Sequence, residues 1–366
     1  MTAAPEILFE LRGGVGFVRL DRPGALNALT LSLIEAFDAR LRAWAGDPAV
    51  HAVVVRGAGT RAFCAGGDIR GIWEGGRTAD GPASELFRRE YLLIRRIKVF
   101  PKPYIALIGG IAMGGGVGLC VHASHRVATE RTLIALPETR IGLFPDVGSS
   151  YFLPRLAGAL GPYLGLTGAR LKAADARHAG LADHYVDTAH LPALEDALAA
   201  ADWSAGAARD IVGATIRDFE SQPGEAALVQ QRAAIDRCFG RATIEAIIAA
   251  LEAEAGAPDG APDGAPDGNW ATSTLETLRA CSPTSLKVTV EQLRRGAALD
   301  FDRALIVEYR LSQAFLARHD FHEGIRAMVI DKDNAPRWDP PELAGVSPEL
   351  VEAHFAPLGD RELSFD

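Results

Sequence analysis

Two apolar stretches, VVV at residues 53–55 and YIALIGG at 104–110, each run into a glycine-rich loop, GAGTRAFCAGGDIR at 57–70 and AMGGGVGL at 112–119. A short unbroken apolar run reads as a strand buried on both faces, which belongs in a sheet covered by helices. Helices are expected on either side of the first of these strands. Residues 31–45 place Leu33, Phe37, Leu41 and Trp44 at 3.6-residue spacing, with Thr30 as cap and Gly46-Asp47-Pro48 as stop, and a second helix is expected over about 84–97. EILFELR and VGFVRLD alternate apolar with polar residues around Gly13-Gly14, which predicts an opening hairpin. Strands alternating with helices and glycine loops define an α/β chain.

Further strands are expected near RVATE, TLIAL and HYVD at 184–187. Past about residue 190 the strand signals stop, and segments such as RATIEAIIAALEAEA and DRALIVEYRLSQAFLA carry helical periodicity. The expected division is therefore 1–190, with the sheets, and 191–366, largely helical. Residues 257–268 read APDG three times, with no apolar group to bury and a turn signal in every unit, which predicts a surface loop.

A hydrophobic content of 48% with 23% charged residues is that of a globular protein, and a net charge of −9 gives no footprint for DNA or RNA. The four cysteines, Cys64, Cys120, Cys238 and Cys281, form no C-x-x-C pair and are expected as reduced, buried thiols. No run approaches the roughly 18 unbroken apolar residues of a membrane span, and the start shows no basic segment followed by an apolar one. A cytoplasmic chain is expected, and its richness in Arg and Ala suggests a bacterial genome rich in G and C.

Several residues could carry chemistry. Gly66-Gly67 before Asp68, and Gly114-Gly115-Gly116 at a helix start, can bring backbone N–H groups close to a ligand. Two such donors aimed at one carbonyl oxygen make an oxyanion hole, worth about 3–4 kcal/mol per donor removed, although each loop alone can equally be a tight turn. The spacing does not fit the G-x-G-x-x-G of dinucleotide binding. Glu90 falls on the stripe of Leu86, Leu93 and Ile97, so a carboxylate sits on a face that should be buried, as a pocket group or at its edge reaching water. Glu138 and Asp146 lie among Leu136, Ile141, Leu143 and Phe144. There they are either desolvated acid–base groups or a turn residue and a helix cap. His122 and His125 have no third ligand in view, and Ser149 and Ser150 lack a G-x-S-x-G context.

LDRPGALNAL, RAFCAGGDI, KPYIALIGGIAMGGGVGL and PETRIGLFPDVGSSYFLPRLAG, in that order, resemble the enoyl-CoA hydratase/isomerase (crotonase) superfamily, and within it the 3-hydroxyisobutyryl-CoA hydrolases. The likeness covers about residues 7–187 and resumes at DFHEGIRAMVIDKDNAPRWDP. It implies an α/β spiral of ββα repeats that binds acyl-CoA, followed by the helical part. It also implies that the amides of Gly67 and Gly115 form the oxyanion hole. Glu138 would be the principal carboxylate, attacking the carbonyl to form an anhydride or activating water, with Asp146 and Glu90 beside the acyl group. The CoA arm would run along Ala25 and the loop Ala65, Gly66, Asp68 and Ile69.

Hydratases of the superfamily carry a second glutamate three residues beyond the Gly115 position, where this chain has Gly118. Adding water across a double bond calls for two carboxylates on one water, so the resemblance favours thioester hydrolysis. A hydratase or isomerase using Glu138 with Asp146, and a non-catalytic acyl-CoA binder, remain the alternatives. Neither metal nor redox cofactor is expected, coenzyme A being part of the substrate. The superfamily suggests a trimer or hexamer. Gly148-Ser149-Ser150 stands where the family often has a glycine pair, and its hydroxyls are expected to crowd the helix start slightly.

Overall fold

The computed structural model describes residues 5–76, 81–256 and 270–365. The APDG repeat, expected as a surface loop, lies outside the described residues. The chain forms two compact units, each assembled from separate stretches. The first comprises Met1–Asp68, Leu92–Ile134 and Arg170–Glu225, the second Ile69–Tyr91, Ala135–Ala169 and Ala226–Asp366. The units are thus interleaved in sequence, whereas the change near residue 190 is one of content. Among the described residues, the last strand is His184–Tyr185.

In the first unit, β1 (Ile7–Arg12) and β2 (Val15–Leu20) form the expected hairpin, paired from Ile7↔Leu20 to Arg12↔Val15. The turn has positive φ at both Gly13 and Gly14, a backbone that suits glycine. After α1 (Leu31–Gly46), the strands β3 (Ala52–Gly57), β5 (Tyr104–Ile108), β7 (His125–Ala128) and β10 (His184–Tyr185) extend the sheet in parallel, in the order β1-β2-β3-β5-β7-β10. Thr30 Oγ1 accepts from the Leu33 N–H at 3.1 Å, so α1 starts where its cap predicts.

Strand periodicity puts Val15, Phe17, Ala52, Val54, Ile105, Leu107 and Val127 on one side of this sheet. They meet Leu194, Leu198, Val212 and Ile216 from the helices Leu191–Ala199 and Ala208–Arg217. A smaller sheet orders β4 (Ala62–Cys64), β6 (Ile111–Met113), β8 (Leu133–Ala135) and β9 (Leu171–Lys172), with β4 and β6 parallel.

That pairing carries the functional geometry of the first unit. Because β4 and β6 run side by side in one direction, the two glycine loops leave the sheet together. A Cβ on Gly116 would lie 1.9 Å from the carbonyl oxygen of Cys64, and one on Gly66 (φ +99°) would lie 2.9 Å from that of Met113, so only bare backbone fits.

The second unit is mainly helical. It contains α2 (Ile69–Glu74), the first part of α3 (Pro82–Lys98), the helix Leu160–Thr167 and most helices beyond residue 226. Aromatic rings knit it together: Tyr163 meets Phe239 edge-on at 5.2 Å, and Phe144 stacks on Phe315 at 5.6 Å.

One side chain missed at the sequence level fastens the first glycine loop. Asn27, fully buried, donates Nδ2–H to the carbonyls of Ala58 (3.0 Å) and Ala62 (2.9 Å), and its Oδ1 accepts from the Arg22 N–H. Asn27→Ala leaves both carbonyls without that donor and should lower the unfolding free energy by about 2–6 kcal/mol, at about 1–3 kcal/mol per orphaned group. Urea unfolding reads this directly, and a loss below about 0.5 kcal/mol would mean that other donors serve those carbonyls.

Candidate active site

Three segments distant in sequence converge in the first unit. The turn Pro23–Ala25 carries Ala25, exposed. Ala65 N–H donates to Leu26 O (3.0 Å), Leu29 N–H to Gly66 O (2.8 Å) and Asp68 N–H to Leu29 O (2.8 Å). This short parallel bridge engages the groups on both sides of the Gly67 N–H and so fixes the direction of that peptide. The second loop opens α4 (Gly115–Val121), which is buried throughout and begins at Gly115.

A Cβ added to Gly66 would lie 3.3 Å from the Gly115 nitrogen, so the two loops are close neighbours. Ala65, Gly67 and Asp68 are half-buried and Gly66 is buried. Asp68 is held by Arg22 at 3.1 Å, which assigns it a fastening role in the loop. Gly118 lies on buried α4, which therefore contributes no carboxylate at the position where a hydratase would carry one.

The second unit gathers the acids. Glu90, on α3, is 3% exposed, and Glu138 and Asp146 are 4% exposed each, so the edge position allowed for Glu90 is not the one it occupies. Glu138 opens a single 3-10 turn, Glu138–Ile141, pinned by Thr139: its hydroxyl donates to Leu166 O (3.0 Å), and its carbonyl accepts from the Ser282 N–H (3.1 Å). Asp146 does not cap the following helix, whose cap is Gly148 without any side-chain bond. Instead its Oδ2 accepts from the Tyr91 hydroxyl at 2.9 Å. Ile69, the last residue of the expected CoA stretch, opens α2 in this unit.

The hydroxyls of Ser149 and Ser150 do not crowd the helix start. Ser149 Oγ donates to Asp146 O (2.6 Å), and Ser150 Oγ accepts from Gln292 Nε2 (2.9 Å), which also donates to Pro145 O (2.6 Å).

A fourth acid escaped the sequence reading. Glu308, with no exposed surface, sits on the helix Phe301–Leu316, and its two oxygens accept from the N–H groups of Gly148 (2.7 Å) and Ser150 (2.8 Å). Glu308 interrupts a buried stripe of Ala304, Leu305, Leu311 and Phe315, the same sequence signal that Glu90 gives on α3.

Burial governs how these acids hold protons. It pushes Glu138 and Glu90 well above the ordinary carboxyl range, and the charge of Asp146 pushes each further. Asp146 is raised by burial to about 7, against the stabilising Tyr91 hydroxyl, and Glu308 is raised by burial to about 8, against the two backbone amides. Glu90 Oε1 and Glu138 Oε2 are buried without a hydrogen-bond partner. An oxygen of that kind is a candidate to engage a reacting group. Among the described residues there is no group of three side chains that could hold a metal ion and no disulfide, and the four cysteines are buried thiols.

A family model described as enoyl-CoA hydratase/isomerase matches residues 15–355. The chain is 45% identical over 366 residues to the mitochondrial 3-hydroxyisobutyryl-CoA hydrolase of Danio rerio, covering 99% of this chain and 92% of that one. Two solved structures are each 39% identical to it. A carnitinyl-CoA dehydratase from Mycobacterium thermoresistibile superposes with a TM-score of 0.88 over 99% of both chains. An enoyl-CoA hydratase from Rhodobacter sphaeroides 2.4.1 gives 0.86 over 99% of this chain and 100% of that one.

The raised carboxyl of Asp146 makes a prediction about stability. From about pH 4 to pH 7 the folded protein keeps this proton while the unfolded chain, titrating near 3.8, loses it. More protons bound when folded means stability falling as pH rises, until the group ionises in both states. Asp146→Asn keeps an acceptor for Tyr91 and removes the titration. Between pH 5 and pH 8 the wild type should therefore lose more unfolding free energy in urea than the variant. An equal loss would refute the raised value.

Proposed function

Because the chain belongs to the enoyl-CoA hydratase/isomerase family, whose fold it shares with the two structures above, we propose that it hydrolyses the thioester of a short 3-hydroxyacyl-CoA. The leading substrate is 3-hydroxyisobutyryl-CoA, an intermediate of valine breakdown, giving 3-hydroxyisobutyrate and CoA. The relative at 45% identity supports this choice. The observation that carries it is Glu138, a buried carboxyl with one oxygen lacking any partner.

In this reading the amides of Gly67 and Gly115 polarise the thioester oxygen, at about 3–4 kcal/mol per donor. Glu138 acts on the carbonyl carbon, as the attacking oxygen or as the base for a water. Asp146 receives the 3-hydroxyl or assists the water, and Glu90 orients the acyl part. The CoA arm lies along Ala25, Ala65, Gly66, Asp68 and Ile69. No cofactor is called for beyond the CoA of the substrate. The assembly proposed is a homo-oligomer, a trimer or a hexamer, in a bacterial cytoplasm. No described helix is long and apolar enough to cross a membrane.

The names of the two solved structures favour a second reading, hydration or dehydration of an enoyl-CoA. Against it stands Gly118, since the two-carboxylate arrangement on one water is incomplete on α4. A comparison of substrates separates the two. Thiol release from 3-hydroxyisobutyryl-CoA should be fast, and loss of enone absorbance from crotonyl-CoA slow. The reverse order would replace hydrolysis by hydration.

Glu138→Gln keeps the shape and removes the reactive oxygen. It should lower kcat for thiol release by about 10²–10⁴-fold while binding of the CoA ester survives. Turnover close to wild type would remove Glu138 from its role. Glu90→Gln should chiefly raise KM or change acyl preference across a panel of short acyl-CoAs, and a fall in kcat alone would contradict that role.

A further inference from the structure

Asp146 sits in a loop whose backbone no ordinary preference would select. Val147, a β-branched residue, has φ +54°, and Gly148 follows at +91°. A β-branched residue in the left-handed region is strained and persists only where neighbouring bonds over-determine it. Ser149 N–H and Ser149 Oγ–H both close back on Asp146 O, at 3.0 and 2.6 Å. The remaining polar groups are held from helices far along the chain. Gln292 takes Pro145 O and Ser150 Oγ, and Glu308 accepts from the amides of Gly148 and Ser150.

The Glu308 carboxyl offers one oxygen to each of two N–H donors that flank Ser149. A glutamine in its place presents one acceptor and one NH₂ group, so one of the two amides would face a donor. An amide left that way inside the protein costs more than an ordinary hydrogen bond is worth. The strained turn at Val147 and Gly148 then loses one of the bonds that enforce it, and the carboxyl of Asp146, one residue before Val147, loses its fixed direction toward Tyr91.

We propose that Glu308 is a positioning residue, which acts on thioester cleavage by clamping the Gly148 and Ser150 amides and thereby fixing Asp146. The proposal rests on the hydrolase reading for its kinetic consequence, but the clamp itself can be tested without turnover. The acids facing Glu308 from the other elements are Asp146 and Glu138, with Tyr91 beside them.

Three measurements test it. In the wild type, hydrogen–deuterium exchange should rank the Gly148 and Ser150 amides among the slowest within residues 141–152. Fast exchange there would overturn the clamp with no variant needed. In Glu308→Gln these amides should exchange at least about tenfold faster while the rest of the protein keeps its protection. Unchanged exchange would overturn it too. For thiol release from 3-hydroxyisobutyryl-CoA, Glu308→Gln should lower kcat about 10- to 100-fold, with KM changed less than about threefold.

In an Asp146→Asn background the same change should cost less than about threefold, because its effect runs through Asp146. A full additional loss in that background would mean that Glu308 serves the fold generally, and the positioning role would fall. Glu308→Asp retains two acceptors at shorter reach and should lose less than Glu308→Gln. If the glutamine variant does not fold, Glu308→Asp takes its place in the cycle. A wild type that releases no thiol sinks the hydrolase reading, and with it the kinetic half of the proposal, while the exchange results still decide the clamp.

Discussion

Four carboxyl groups buried together set the terms for the rest of the second unit. Removing a carboxylate from water is costly unless hydrogen bonds or opposite charge replace its hydration. The partners found here are neutral: the Tyr91 hydroxyl for Asp146, and two backbone amides for Glu308. Burial, with repulsion from neighbouring acids, outweighs these partners, and the groups resist ionisation. A chain selected only for stability has little reason to keep such a cluster, since apolar side chains of similar volume would fill the space at lower cost. The arrangement is intelligible as chemistry: acids that exchange protons near neutrality, one oxygen of Glu138 and one of Glu90 lacking any partner.

The first unit depends on a different constraint, the approach of backbone to backbone. Gly116 lets α4 start against the carbonyl of Cys64, and Gly66 lets its loop lie against Met113 and Gly115. Neither contact tolerates a Cβ. Amides positioned in this way need no reorganisation when charge develops on a nearby oxygen, which is why such donors contribute so much to acyl transfer. Asn27 and Arg22 complete the support. One ties the turn after β2 to the backbone at Ala58 and Ala62, and the other ties it to Ala28 O and Asp68.

Local signals carried most of the fold and half of the site. The hairpin, α1 with its Thr30 cap and the glycine-terminated strands all follow from periodicity and turn chemistry within a dozen residues, and the structure has them. Glu90 was legible because a carboxylate interrupts an apolar stripe. Glu308 interrupts one in the same manner, yet its partners, Gly148 and Ser150, lie about 160 residues earlier, and spacing contains no trace of that pairing. Gln292 and Tyr91 were hidden for the same reason. The role of Asp146 could not be decided from spacing because a helix-start aspartate normally caps. Here the left-handed Val147 and Gly148 turn the side chain away from that use and toward Tyr91. The two serines after Gly148 misled in the other direction, since their hydroxyls find acceptors and donors that only the folded chain supplies.

The absence of a side chain at residue 118 argues for hydrolysis more strongly than any single acid does. Hydration of an enoyl thioester must place a proton and a hydroxyl on neighbouring carbons, so the two carboxylates serving that water have to be fixed with respect to each other. Thioester cleavage asks for less: a polarised carbonyl and one oxygen able to reach its carbon. In this chain α4 offers amides and no acid, and Glu90, Glu138, Asp146 and Glu308 all belong to the second unit. Their proton affinities are coupled, because ionising Asp146 makes Glu138 and Glu90 harder to ionise. Such a set can hold one negative charge readily and a second only with difficulty. The first charge falls on Asp146, raised only to about 7 while Glu138 lies well above the ordinary carboxyl range, so a Glu138 that is to act as a carboxylate must first pass its proton to Asp146.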